Sequence, residues 1–165
     1  WFDLGNRGNA IATKYEIIES ENIQLKTRLE RRYMSIAKLK IGDKIICIIT
    51  TQLSLGKRSR KKEFQQIVDT INSISDPIIF TGDLNTQNGQ ELEIFNTTRL
   101  KRIETTNTFP SWKPKRRIDY IFHSPEFEVV ESYVLDNLKV SDHLPIVAEL
   151  KLINHSKNKI TKNID

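Results

Sequence analysis

The hydrophobic patterning of the 165-residue chain predicts a mixed α/β (α+β) domain built in layers. Short apolar runs rich in β-branched residues recur along it, the pattern of strands. One stretch, residues 58–74, switches to the period of a helix. Strand, helix, strand and then further strands is an order that packs helices against a sheet.

In chain order, residues 9–15 are a first candidate strand and residues 33–40 a second, moderately alternating one. Residues 45–51 are continuously apolar and β-branched, so that strand is expected to be buried on both faces. In the helical stretch Phe64, Ile67, Val68, Ile71 and Ile74 fall on one stripe. Ser59 is its expected N-cap and Asp76-Pro77 its end. Pro77-Ile78-Ile79-Phe80-Thr81 reads as a short buried strand leading into Gly82-Asp83. Residues 90–96 are expected to form a short helix, and residues 118–122 and 129–135 strands. A last strand over 144–152 places Leu144, Ile146, Ala148, Leu150 and Leu152 on one face. From Asn154 the sequence turns polar and rich in Lys and Asn. We therefore expect one domain over residues 1–153 and a basic tail over 154–165.

Composition narrows the class further. Hydrophobic residues make up 38% and charged residues 28%, the balance of a globular protein with room for a core. No stretch approaches the ~20 apolar residues that a helical membrane span needs. The single cysteine, Cys47, excludes an intramolecular disulfide and a cysteine-based zinc site, and is compatible with a reducing compartment. The formal charge is +5, of which +3 lies in residues 151–165. Net basicity is thus no argument for nucleic acid, and a basic patch has to be local. The chain opens at Trp1 rather than at a methionine, and further sequence is expected before it.

Three clusters carry groups with chemistry. In Gly82-Asp83-Leu84-Asn85, residues two apart in an extended segment share a side, so Asp83 and Asn85 can aim at one point beyond the strand end. A carboxylate beside a neutral amide suits orienting a water or holding a hard cation. An ordinary Asx turn uses the same residue types. In Arg117-Ile118-Asp119-Tyr120-Ile121-Phe122, Asp119 interrupts an apolar strand and needs a partner, such as Arg117 or a histidine. In Ser141-Asp142-His143-Leu144-Pro145 a carboxylate precedes the one side chain that titrates near neutral pH. His123 and His155 have no such surroundings.

Taken together and in order, these clusters resemble the endonuclease/exonuclease/phosphatase superfamily, the DNase I-like layered β-sandwich flanked by helices. Gly8-Asn9-Ala10-Ile11-Ala12 is similar to the family's glycine-asparagine-alanine strand. Glu30-Arg31-Arg32 is similar to its acid-x-arginine element, and Thr50-Thr51-Gln52-Leu53 to its threonine-histidine-leucine strand. The likeness covers about residues 8–150. It implies Mg²⁺-dependent (or Mn²⁺-dependent) hydrolysis of a phosphoester, in nucleic acid or a phospholipid head group, by in-line attack of water. Asp83 would be the base or water-orienting acid, and Asn85 would hold water or phosphate. His143, fixed and kept cationic by Asp119, would donate to a phosphate oxygen. Asp142 would join Asp83 as a metal ligand, and Asn9 and Gln52 would bind phosphate.

Two departures stand out. The family's first strand and its metal-binding glutamate would precede Trp1, making this the carboxyl-terminal portion of the fold. Weak or absent Mg²⁺ binding by residues 1–165 alone, and competence of the full-length protein, are expected. Gln52 replaces a histidine and cannot act as acid or base. A non-catalytic phosphate-binding module is the alternative. Two basic stretches bear on the substrate: residues 57–62, and the loop Phe109-Pro110-Ser111-Trp112-Lys113-Pro114-Lys115-Arg116-Arg117, where Trp112 could stack on a base or enter a lipid interface.

Overall fold

The computed structural model describes residues 8–27 and 31–153. Glu30 and the tail with His155 lie outside the described residues. Strand β1 (Glu16–Gln24) pairs antiparallel with β2 (Tyr33–Ile41), and β2 pairs antiparallel with β3 (Lys44–Gln52). Gly42, at φ 62, turns the β2–β3 hairpin, in the position where a type II′ turn needs positive φ. Helix α1 (Lys57–Ser73) then crosses to β4 (Ile78–Asp83), which lies parallel to β3. A short helix α2 (Gly89–Leu92) runs into a 3-10 turn over Glu93–Thr97. β5 (Lys101–Arg102) and β6 (Asp119–His123) complete a six-stranded sheet in the order β1-β2-β3-β4-β6-β5. β7 (Phe127–Val134) and β8 (Ile146–Leu152) form a separate two-stranded sheet.

The layers follow from side-chain alternation in the central strands. Cys47 and Ile49, Ile78 and Phe80, and Tyr120 and Phe122 are buried toward α1 with Phe64, Ile67, Ile71 and Phe95. Phe95 packs against Phe122 at 4.7 Å and Phe80 at 5.4 Å between ring centroids. The alternate residues, Ile46, Ile48 and Ile79, face the second sheet through Phe127, Leu150 and Leu152. β3 is therefore buried on both faces, as its apolar run predicts. Burial pushes the Cys47 thiol up to about 11, which makes it an inert core residue. No helix among the described residues is long and apolar enough to cross a membrane.

Several expectations are corrected. Residues 9–15 are not a strand; the carboxamide of Asn9 donates to the Tyr33 carbonyl (2.8 Å) while Ile11 packs beneath the second sheet. The first strand instead covers Glu16–Gln24, a polar edge stabilised by pairing and by the Lys38–Glu19 ion pair at 2.7 Å. Ser59 is not the N-cap. Gly56 occupies that place without a side-chain bond, its carbonyl accepting from the amides of Ser59 and Arg60 at 3.0 Å each.

Strand register brings three polar residues together at one end of the sheet. Gln52 in β3 stands opposite Asp83 in β4, and Asp83 stands opposite Asp119 in β6. Paired residues point to the same face, so three polar side chains lie side by side at one sheet end. They share the face that carries Ile48 and Ile79, not the helix face. Gly82, one residue earlier, passes so close to β3 that a Cβ there would lie 2.1 Å from the Thr51 carbonyl oxygen.

Candidate active site

β4 ends in a turn that serves both readings of its sequence. Asn85 takes a left-handed conformation (φ 50), which asparagine tolerates better than most residues. Its amide donates to Asp83 Oδ1 at 2.9 Å, an Asx turn. Its Nδ2 donates to the Leu53 carbonyl at 2.7 Å and to Asp83 Oδ2 at 3.2 Å. The Leu53 amide in turn donates to the Asp83 carbonyl at 2.9 Å. The loop after β3 therefore clamps both Asp83 and Asn85. That loop is itself anchored from below. Buried Glu63 accepts from the Ser54 amide (3.0 Å) and hydroxyl (2.5 Å), and Arg60 Nη1 donates to the carbonyls of Ser54 (3.2 Å) and Leu55 (2.5 Å).

Gln52 links two charged groups. Its Nε2 donates to Asp83 Oδ2 at 3.3 Å, and its Oε1 accepts from Arg32 Nη1 at 2.7 Å. Burial pushes the Asp83 carboxyl above the usual carboxylate range; the Asn85 amide opposes the rise and the neighbouring Asp119 charge adds to it.

The partner of Asp119 is a histidine. His143 Nδ1 lies 2.9 Å from Asp119 Oδ2 and 3.1 Å from Oδ1, so Nδ1 is the ring nitrogen that bonds the carboxylate. Arg117 turns elsewhere, to Glu104 at 2.5 Å. Thr108 Oγ1 also donates to Asp119 Oδ2. The imidazole is held against the Phe109 ring at 4.8 Å between centroids. Two loops are laced together around it: Leu144 N donates to Thr108 O (2.9 Å), Ser111 N to Asp142 O (2.8 Å), and Ser111 Oγ to Ser141 O (2.6 Å). Thr108 carries no signal in the sequence, and Phe109 and Ser111 stand there only within the basic loop. Thr108 meets Asp119 across 11 residues and Ser111 meets Ser141 across 30, separations that no local spacing marks.

Asp83, Asp119 and His143 each present a ligand atom, all within 4.8 Å of one another. Asp142 stays outside this group among the described residues: its side chain is exposed and accepts from Ser141 Oγ at 3.1 Å. Asn9 sits at the same sheet end, fixed on β2 by its bond to Tyr33. His123 is buried on the Ser124 carbonyl at 2.9 Å, a structural residue.

A family model described as the endonuclease/exonuclease/phosphatase family matches residues 3–143, and the chain belongs to that family. No curated protein matches it. Similar solved structures include the endonuclease/exonuclease/phosphatase from Bacteroides vulgatus, at 22% identity and a TM-score of 0.74 over 85% of this chain and 67% of that one. The mannosyl-6-phosphatase of Bacteroides thetaiotaomicron is similar at 22% identity and 0.73, over 84% and 68%. TDP2 of D. rerio, complexed with a single-strand DNA product, is similar at 19% identity and 0.70, over 82% and 68%. The chain thus spans about two thirds of the length of each. At these identities the likeness establishes the DNase I-like fold.

Proposed function

We propose that the protein is a divalent-metal-dependent phosphoesterase whose reaction is centred on Asp83, Asp119 and His143. The observation that carries this reading is the pairing of His143 with Asp119 beside a second, desolvated carboxylate. Asp83 has amide neighbours in Asn85 and Gln52, and its burial leaves negative charge poorly solvated. Two carboxylates so placed fit a hard divalent cation, Mg²⁺ or in its place Mn²⁺. Asp83 would hold it. Such an ion, when bound, neutralises phosphate oxygens and lowers the barrier to attack.

The chain's own residues do the rest. Asp83 accepts a hydrogen bond from the attacking water and takes its proton as the P–O bond forms in line with the ester oxygen. Asn85 fixes the carboxylate and binds water or phosphate. Asp119 holds Nδ1 of His143, which leaves Nε2 as the ring atom for a non-bridging phosphate oxygen. The ester P–O bond then breaks, and the leaving oxygen takes a proton from solvent. Asn9 and Gln52 add phosphate contacts at the rim. The non-catalytic alternative, to which Gln52 in place of a histidine points, is not favoured, since Asp83, Asp119 and His143 are all present with ligand atoms within 4.8 Å of one another.

Hydrolysis of bis(p-nitrophenyl) phosphate tests the reading. Turnover is expected with Mg²⁺ or Mn²⁺, is lost on chelation, and falls about 100-fold or more in Asp83→Ala and in His143→Ala. Full activity in both variants would overturn it.

A further inference from the structure

Three loops surround the sheet end that carries Asp83 and His143, and each ends in an exposed apolar side chain next to a cation. The loop after β3, whose Leu53 carbonyl holds Asn85, exposes Leu55 (71%) ahead of Lys57 and Arg58. The hairpin over residues 109–116 exposes Trp112 (68%) beside Lys113 and Lys115. The loop over 135–143 exposes Leu138 (42%) and Val140 (80%) on either side of Lys139.

These tips are presented by ordered backbone. The hairpin is closed by the Phe109–Arg116 bridge and by Lys113 N donating to Pro110 O at 3.0 Å. Leu135 N donates to Pro145 O (2.9 Å) at the base of the third loop. Ser111 joins the two loops through Ser141 and Asp142. Over residues 53–58, 109–116 and 135–142 there are six cations and two acids, Asp136 and Asp142.

We propose that these three tips form a docking surface for an anionic lipid bilayer. Apolar tips enter the acyl boundary while adjacent Lys and Arg meet anionic head groups. Nucleic acid fits less well: base stacking needs aromatic faces, and three of the four exposed apolar tips are aliphatic. The proposal rests on the phosphoesterase reading in one respect, that the docked surface delivers a membrane-borne phosphoester to the site. Docking itself is read without turnover.

The test is co-sedimentation with phosphatidylcholine vesicles, with and without phosphatidylserine. It is paired with Trp112 emission in a Trp1→Phe background, where Trp112 is the single indole. Binding to phosphatidylserine vesicles with a blue shift is expected. Partition should weaken about tenfold or more in Trp112→Ala/Val140→Ala. In Lys113→Glu/Lys139→Glu it should weaken about 25-fold or more, from about fivefold per cation removed. Far-UV circular dichroism should be unchanged, and hydrolysis of bis(p-nitrophenyl) phosphate in solution by both double variants should match the parent. Failure of the parent to bind anionic vesicles, or undiminished binding by both variants, would overturn the proposal. So would Trp112 quenching by a single-stranded oligonucleotide with none of the response to vesicles. A parent that binds vesicles yet cleaves no soluble diester would instead count against the phosphoesterase reading alone.

Discussion

At Gly82 the backbone leaves no room for a side chain. Its φ of 158 and the 2.1 Å approach of a built Cβ to the Thr51 carbonyl mean that alanine there must push β4 away from β3. Gly82→Ala should therefore destabilise the protein by about 2 kcal/mol or more, read as a lower urea midpoint with an unchanged m-value. Because Asp83 is the next residue, activity should fall further than stability alone accounts for. Thr108 makes a different kind of contribution. Its hydroxyl, fully buried, is a hydrogen-bond donor to Asp119. In Thr108→Val, of nearly the same volume, Asp119 loses that donor and His143 its fixed partner. We expect about a tenfold loss of kcat with KM little changed; a variant with the parent's kcat would remove Thr108 from the machinery.

Among the elements, α1 and α2 are joined by Arg60 and Glu91, both largely buried. Nε lies 2.8 Å from Oε2 and Nη2 3.1 Å from Oε1. The Arg60 guanidinium holds the Glu91 carboxyl below the usual range. A carboxyl depressed in the folded state binds fewer protons there than in the unfolded chain. Its contribution is present above the unfolded value near pH 4.5 and is lost as pH falls through the lower folded value. Urea midpoints should decline on acidification below about pH 4.5, and the decline should be shallower in Glu91→Gln. A decline of equal slope in that variant would contradict the assignment. Arg60 also bonds the carbonyls of Ser54 and Leu55. Its removal should cost about 3 kcal/mol and loosen the loop that clamps Asn85.

Across the whole molecule, what was legible in the sequence was what short range determines. The apolar run at 45–51, the stripe from Phe64 to Ile71 and the strand before Gly82 each bury a face large enough to set local structure. Asp83, Asn85, Asp119 and His143 stood out because each polar residue borders an apolar run, where it is costly to bury without purpose. The rest depended on distant partners. Glu16–Gln24 has only three apolar residues, Ile17, Ile18 and Ile23, which do not alternate, and it becomes a strand because β2 offers its edge. Gly56 rather than Ser59 begins α1, because the loop before it is drawn down onto Glu63. Asp142 stood beside His143 in sequence yet turns outward, since its backbone is tied to Ser111.

The central claim is that Asp83 and His143, 60 residues apart in the chain, act as one unit on a phosphoester. A double-mutant cycle on phosphodiester hydrolysis addresses it most directly. The rates of Asp83→Ala, His143→Ala and the double variant would be compared with the parent. Residues that share one transition state are strongly non-additive, so the double variant should be scarcely slower than either single one. Losses that multiply, or a single variant that keeps the parent's rate, would contradict a shared site.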